Sequence, residues 1–150
     1  MSIVTVDQSE LHRLAERRVR DAGLVYTSGR RELVELLVGL SGPATMPELI
    51  ELRPRLTVSS MYRNMTDLEG IGVVQKVVGA DDHLRYELAE DLIGHHHHSI
   101  CTQCGAVDDF VVSPRTEKSL ESALEKALSG SGFQPTGHRL DVVGLCATCA

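Results

Sequence analysis

The sequence predicts an α+β chain in two parts, an N-terminal winged helix-turn-helix unit and a small C-terminal α/β unit that holds metal. Three observations predict it. Short amphipathic helical segments are followed by a two-stranded hairpin, the order of a winged helix. All four cysteines fall in two CxxC pairs, Cys101/Cys104 and Cys146/Cys149, and four histidines, His95 to His98, run up to the first pair. Charge is divided as well: residues 1–80 carry 10 Lys/Arg against 10 Asp/Glu, whereas residues 81–150 carry 5 against 11 and so account for the whole net charge of −6.

Taken in order, residues 8–22 read as a polar helix with Leu11, Leu14, Ala15 and Val19 on one stripe, ended by Gly23. Tyr26-Thr27-Ser28 offers caps for a second helix to about Leu40, with Leu33, Leu36, Leu37 and Leu40 at helical spacing. Thr45-Met46-Pro47-Glu48 is a capping-box pattern opening a short third helix, which stops at Arg53-Pro54. Thr57, Ser59 and Ser60 are cap candidates for a fourth helix to about Glu69, with Met61, Met65 and Leu68 inside. Val73–Val78 and Leu84–Leu88 form the hairpin, and 89–94 read as a hinge. Beyond it, Ser99–Cys101 and Ala106–Val112 read as strands, Ser113-Pro114 starts a helix to about Leu128, and Phe133–Leu145 reads as a last strand. The expected division is 1–88, hinge 89–94, and 95–150.

The absence of an apolar run of 18 residues argues against a membrane-spanning helix, and residues 1–10 lack a signal-peptide pattern. The expectation is a cytoplasmic protein, where paired cysteines bind metal rather than form disulfides. Cys101, Cys104, Cys146 and Cys149 suit a closed tetrahedral zinc site; a redox CxxC would open a helix after a strand, and neither pair does. Along a strand, alternate histidines face opposite sides, so His95 and His97 face one way and His96 and His98 the other, and one run can serve two metal sites. Glu87 alternates with Tyr86 and Leu88, which predicts exposure. Asp108 and Asp109 are expected to face solvent, with Asp109 an outside candidate ligand.

Ser59, Ser60, Tyr62, Arg63 and Thr66 form an acid-free outer stripe on the fourth helix, as a groove-facing surface requires. Residues 11–65 hold nine Arg against six acids, and Arg17 and Arg18 are candidate phosphate neighbours, with Arg20 and Arg30.

These residues together resemble the ferric uptake regulator family of metal-dependent transcription factors. The resemblance runs from about Ala15 to Cys149 and rests on His95–Gly105, on Ser60-Met61-Tyr62-Arg63 and on Thr27-x-x-Arg30. It implies a homodimer that binds an inverted-repeat, double-stranded DNA operator and controls metal uptake or homeostasis genes, commonly as a repressor. It implies structural zinc at Cys101, Cys104, Cys146 and Cys149. It implies a second site at His95, His97, Glu117 and His138. It also implies a regulatory site joining His96 and His98 to ligands from the winged unit and hinge, for which Glu87 and Asp91 are the first candidates and Glu90 and His83 the alternatives. The segment Gly42–Thr45 lacks the histidine that iron, peroxide and nickel sensors of the family carry, which favours the zinc-sensing branch; the hard oxygens of Glu87 and Asp91 keep iron or manganese as the alternative.

Two rival readings lie outside the family. A zinc metallo-hydrolase would need an open metal position and a general base, and no HExxH helix is present. A zinc-ribbon interaction module would lack affinity for DNA.

Overall fold

The computed structural model describes residues 6–53 and 55–150. Pro54, expected to stop the third helix, and residues 1–5 lie outside that range. The first unit begins with four helices: α1 (Gln8–Asp21), α2 (Ser28–Val38), α3 (Met46–Leu52) and α4 (Val58–Gly70). Each start is fixed by a side-chain oxygen that accepts from backbone N–H groups left free in the first turn. Asp7 accepts from Ser9 and Glu10, Thr27 from Arg30, Thr45 from Glu48, and Thr57 from Ser60. At α3 the Glu48 carboxylate also accepts from the Thr45 N–H, completing the capping box.

The apolar stripes of these helices meet in one core. Leu11, Ala15 and Val19 of α1 join Leu33, Val34, Leu36 and Leu37 of α2, Met46 and Leu49 of α3, and Met61, Met65 and Leu68 of α4. Each large side chain so buried contributes about 1.5–3 kcal/mol. Leu33→Ala, at a position with no solvent exposure, is expected to cost about 2–5 kcal/mol through the cavity it leaves.

The hairpin β1 (Val74–Val78) and β2 (Leu84–Leu88) closes the unit, with Gln75 opposite Glu87 and Lys76 opposite Tyr86. Ala44 and Tyr86 exchange backbone bonds of 3.1 and 2.8 Å, which tie the segment before α3 to β2. Residues 89–94 hold a one-turn helix, α5 (Glu90–Ile93), where a plain hinge was expected; its Leu92 and Ile93 are buried in the same core.

The second unit is a three-stranded sheet in the order β4-β3-β5, from β3 (His97–Cys101), β4 (Val107–Phe110) and β5 (Asp141–Gly144), with α6 (Pro114–Leu128) between β4 and β5. β3 pairs antiparallel with β4 and parallel with β5. The last strand is much shorter than the expected Phe133–Leu145, because only Asp141–Gly144 finds a partner in β3. α6 has no buried residue and all of β5 is exposed, so this unit presents apolar side chains, among them Phe133, Val142, Val143 and Leu145, to the outside.

The two units touch along β4. Asp109 N–H donates to Ser41 O at 2.8 Å, and Ser41 Oγ donates to Asp108 Oδ1 at 2.8 Å. Gly42 is required there: a Cβ would sit 2.8 Å from Asp108 Cα. No helix among the described residues is long and apolar enough to cross a membrane.

Candidate metal centres

β3 and the two histidines that lead into it carry the chemistry of the second unit, and alternate residues along this run fall into separate groups. At its end, Cys101 leads into a turn closed by Gly105 at φ 75°, and this turn brings Cys104 back beside Cys101. β5 runs parallel to β3 and delivers Cys146 and Cys149 to the same place. The four sulfur atoms all lie within 4.8 Å of one another, and Cys104 Sγ and Cys146 Sγ are 3.7 Å apart. Four thiolates at the zinc–sulfur bond length stand about 3.8 Å apart on a tetrahedron, so this pair is already at zinc spacing. Backbone N–H groups of Cys104, Cys146 and Gln103 hold the Cys101 thiol down at about 6, whereas the neighbouring thiols of Cys146 and Cys104 push Cys149 up to about 12. Four sulfurs this close do not all ionise without a cation, and the donor set fits zinc.

His95 and the buried His97 form a second group with His138 and with Glu117 of α6. Glu117 Oε2 lies 2.9 Å from His97 Nε2, and Oε1 lies 2.7 Å from His138 Nε2 and 3.2 Å from His95 Nε2. His95 Nε2 and His138 Nε2 are 3.3 Å apart. Despite these approaches, Glu117 Oε1 is buried and accepts no hydrogen bond, as expected of an oxygen and nitrogens that point at a common ion rather than at each other. Contacts to His97 hold the Glu117 carboxyl below the usual range.

The third group lies between the two units and is fully buried: Glu87, His96, His98 and Asp109. Glu87 Oε2 is 3.1 Å from both His96 Nε2 and His98 Nε2. His96 Nδ1 is 2.9 Å from Gly94 O, which orients the ring so that Nε2 is the nitrogen facing the group. Asp109 Oδ1 lies 3.6 Å from His98 Nε2 and 3.9 Å from His96 Nε2, and it too is buried without a hydrogen-bond partner. Burial pushes Asp109 up to about 6. Burial alone would also raise Glu87, but hydrogen bonds to His96, His98 and Gln75 more than offset it and hold Glu87 at about 2. Glu87 in turn pushes His96 up to about 9. Two imidazoles and two carboxylates converging in a dry site suit one divalent cation. A cavity of about 110 Å³ lined by Gln75, His96, His98 and His138, among others, lies beside both histidine groups and gives an entry path.

Two expectations about exposure are corrected here. Glu87 is 4% exposed, because the hairpin is covered on both faces: Leu88 packs on the helices, while Arg85 and Glu87 face the second unit. Asp109 is 8% exposed for the same reason, sharing the inward face of β4 with Val107. Asp91 is brought into none of the three groups; α5 turns it toward α1, where its carboxylate pairs with Arg18. Arg18 also donates to Gly72 O at 2.6 Å and is therefore engaged within the protein rather than free for phosphate. Arg85, unremarked in the sequence, is buried and forms a two-bond pair with Asp81 at 2.7 and 2.8 Å.

On the surface of α4, Ser59, Tyr62, Arg63 and Thr66 are exposed and Ser60 is half-buried. The acids nearest them are engaged, Asp67 with Arg30 and Glu69 with Lys76. Arg17 is exposed on α1, and Arg30 is buried, pairing with Asp67 at 2.6 Å.

A family model described as "Ferric uptake regulator family" matches residues 21–143. The chain belongs to the ferric uptake regulator family. Among relatives in this family, the ferric uptake regulation protein of Legionella pneumophila is 28% identical over 138 residues, covering 89% of this chain and 96% of that one. The peroxide-responsive repressor PerR of Staphylococcus saprophyticus is 26% identical over 135 residues, covering 87% and 86%. In structure, the ferric uptake regulator Fur of Helicobacter pylori superposes with a TM-score of 0.73 at 21% identity, covering 97% of this chain and 95% of that one; three functional metal-binding sites are described for it. Membership in the ferric uptake regulator family makes the protein a metal-responsive transcriptional regulator and not an enzyme, which removes the metallo-hydrolase and ribbon-module readings. Its cofactors are structural zinc at the four cysteines and a regulatory divalent metal.

Proposed function

We propose that the protein is a homodimeric, zinc-responsive repressor of metal-uptake or homeostasis genes, acting in the cytoplasm on an inverted-repeat operator in double-stranded DNA. One observation carries the reading. The buried Glu87, His96, His98 and Asp109 group takes one ligand from the wing of the first unit and three from the second, His98 and Asp109 on its sheet and His96 just before β3. An ion bound there would supply attraction across the joint between units divided at 1–88, 89–94 and 95–150. Gly94, at φ 95° with open space around it, is the natural point of flexure.

The residues of the chain divide the work. Glu87, His96, His98 and Asp109 restrict the angle between units. The exposed apolar side chains of α6 and β5 supply the surface for a second copy, since no element of the described residues covers them. Ser59, Ser60, Tyr62, Arg63 and Thr66 on α4, with Arg17 on α1, meet DNA. Fixing the angle in both copies fixes the spacing of two α4 helices, and that spacing must match the helical repeat of DNA. Filling the site therefore shifts the population toward the DNA-competent arrangement.

Two imidazoles with two carboxylates suit zinc, the favoured metal. The oxygens of Glu87 and Asp109 support iron or manganese as the second reading, and relatives named for ferric uptake and for peroxide response share this chain's family. The test is DNA binding against titrated zinc, iron and manganese, in wild type and in His96→Ala. Metal-dependent binding lost in His96→Ala supports the site, and the metal active at the lowest free concentration identifies the signal.

A further inference from the structure

Gln75 of β1 sits opposite Glu87 in the hairpin register, and its side chain reaches across the strands to it. Gln75 Nε2 donates to Glu87 Oε1 at 2.6 Å. The other oxygen, Oε2, is the one that faces His96 and His98 at 3.1 Å each. The two oxygens of Glu87 therefore have different tasks: one is held by an amide and the other is presented to the site.

This division sets how many atoms the site can offer an ion. A carboxylate with both oxygens free can bind through two atoms. One whose Oε1 is engaged by an N–H donor binds through the remaining oxygen. With Glu87 restricted in this way, one atom from each residue converges, Glu87 Oε2, His96 Nε2, His98 Nε2 and Asp109 Oδ1, and a freed Glu87 Oε1 would add a further oxygen donor. Four nitrogen and oxygen donors meet the tetrahedral preference of zinc, whereas larger sets rich in oxygen suit manganese and non-haem iron. The amide is also neutral, so it orients Glu87 without adding a third carboxylate to a site that already buries two.

We infer that Gln75 is a specificity-determining positioning residue, which holds Glu87 to a single donor oxygen and so limits the oxygen donors offered at the regulatory site, favouring zinc over manganese and iron. The inference rests on the proposed role of the Glu87, His96, His98 and Asp109 group. It acts through Glu87, so its signature lies in coordination geometry and metal preference rather than in folding.

The experiment uses full-length protein with its structural zinc in place and cobalt(II) as the probe, because four-coordinate cobalt absorbs visible light far more strongly than five- or six-coordinate cobalt. The component of the spectrum lost in His96→Ala belongs to this site. In Gln75→Ala and Gln75→Glu that component is expected to weaken several-fold at unchanged cobalt stoichiometry. Competition between zinc and manganese is expected to move toward manganese by about tenfold, the usual scale for loss of an outer-shell partner. Gln75→Glu keeps the size of the side chain without the amide donor, so agreement of the two variants assigns the effect to the hydrogen bond. If both variants keep the wild-type spectrum and the wild-type zinc-to-manganese ratio, the role of Gln75 is overturned. If His96→Ala itself keeps the wild-type spectrum and stoichiometry, the regulatory site has been misplaced, a separate failure that removes the basis of the inference as well.

Discussion

Asp81 of the wing turn lies against Gly105 of the cysteine turn, so closely that a methyl group on Gly105 would come within 2.6 Å of Asp81 Cγ. Asp81 is held in that place by Arg85, which is 5% exposed and grips both carboxylate oxygens. The wing and the zinc turn thus interlock at a second contact, separate from the buried histidine group. Gly105 is needed twice over, since its φ of 75° is one that other residues adopt only at a cost.

Gly105→Ala is expected to destabilise the zinc-loaded protein by about 1–3 kcal/mol from the backbone alone, with a further penalty from Asp81. Thermal unfolding reads this as a drop of several degrees in Tm. A Tm equal to wild type would mean that the wing does not rest on the zinc turn in solution.

Proton linkage gives the metal-free joint a defined pH window. His96, raised from its ordinary 6.5 to about 9, stabilises the closed joint fully below 6.5, and this is lost as pH rises through 9. Asp109, raised from 3.8 to about 6, contributes below 3.8 and loses that contribution as pH rises through 6. Glu87, depressed from 4.5 to about 2, contributes above 4.5 and loses it as pH falls through 2. The metal-free units should therefore separate as pH is raised from 6 to 9, seen as growth in solution-scattering radius. Metal binding runs the other way, because the entering ion must displace the His96 proton. Calorimetry in buffers of different ionisation heat should show proton release on zinc binding at pH 7.5, and zero release would contradict the arrangement.

Arg30 and Arg63 should part company. Arg30 is buried and paired with Asp67, so Arg30→Ala is expected to cost about 2–4 kcal/mol of stability by leaving a partly buried carboxylate without its partner. Arg63 is exposed on α4, and Arg63→Ala should change stability by less than about 0.5 kcal/mol. The same variant should weaken duplex binding by about tenfold. Denaturant melts and fluorescence anisotropy on a labelled duplex separate the two effects.

Cys146 follows β5 by two residues, and the register of β5 on β3 ends with Gly144 opposite Cys101. Losing zinc there should release β5 from the sheet and break up the apolar surface proposed for dimerisation. Cys146→Ser is expected to run as a monomer in sedimentation velocity where wild type runs as a dimer. A Cys146→Ser dimer of wild-type strength would separate dimerisation from the zinc site.

Much of the fold was legible because its signals are local. Thr27, Thr45 and Thr57 mark three helix starts, and the structure places them as caps. The spacing of Leu33, Leu36 and Leu37, and of Met61, Met65 and Leu68, identifies the buried faces. The four-cysteine group and the sorting of His95 and His97 from His96 and His98 follow from CxxC spacing and strand alternation. What was not legible depends on contact between the units. Glu87 and Asp109 read as exposed because a polar residue alternating with apolar ones in a hairpin or edge strand usually faces water. Here the face that would meet water meets the other unit. Asp91 is a ligand candidate only through its place in the hinge, and the turn of α5 that carries it to Arg18 has no strong sequence signal: no side chain caps it.

The most direct measurement is the affinity of the protein, with its structural zinc retained, for a single operator duplex at fixed salt, before and after the regulatory site is filled. Filling the site is predicted to tighten binding by at least about tenfold, a coupling within the range usual for linked sites. Equal affinity of the two forms would contradict the claim that an ion held by Glu87, His96, His98 and Asp109 sets the angle between the units.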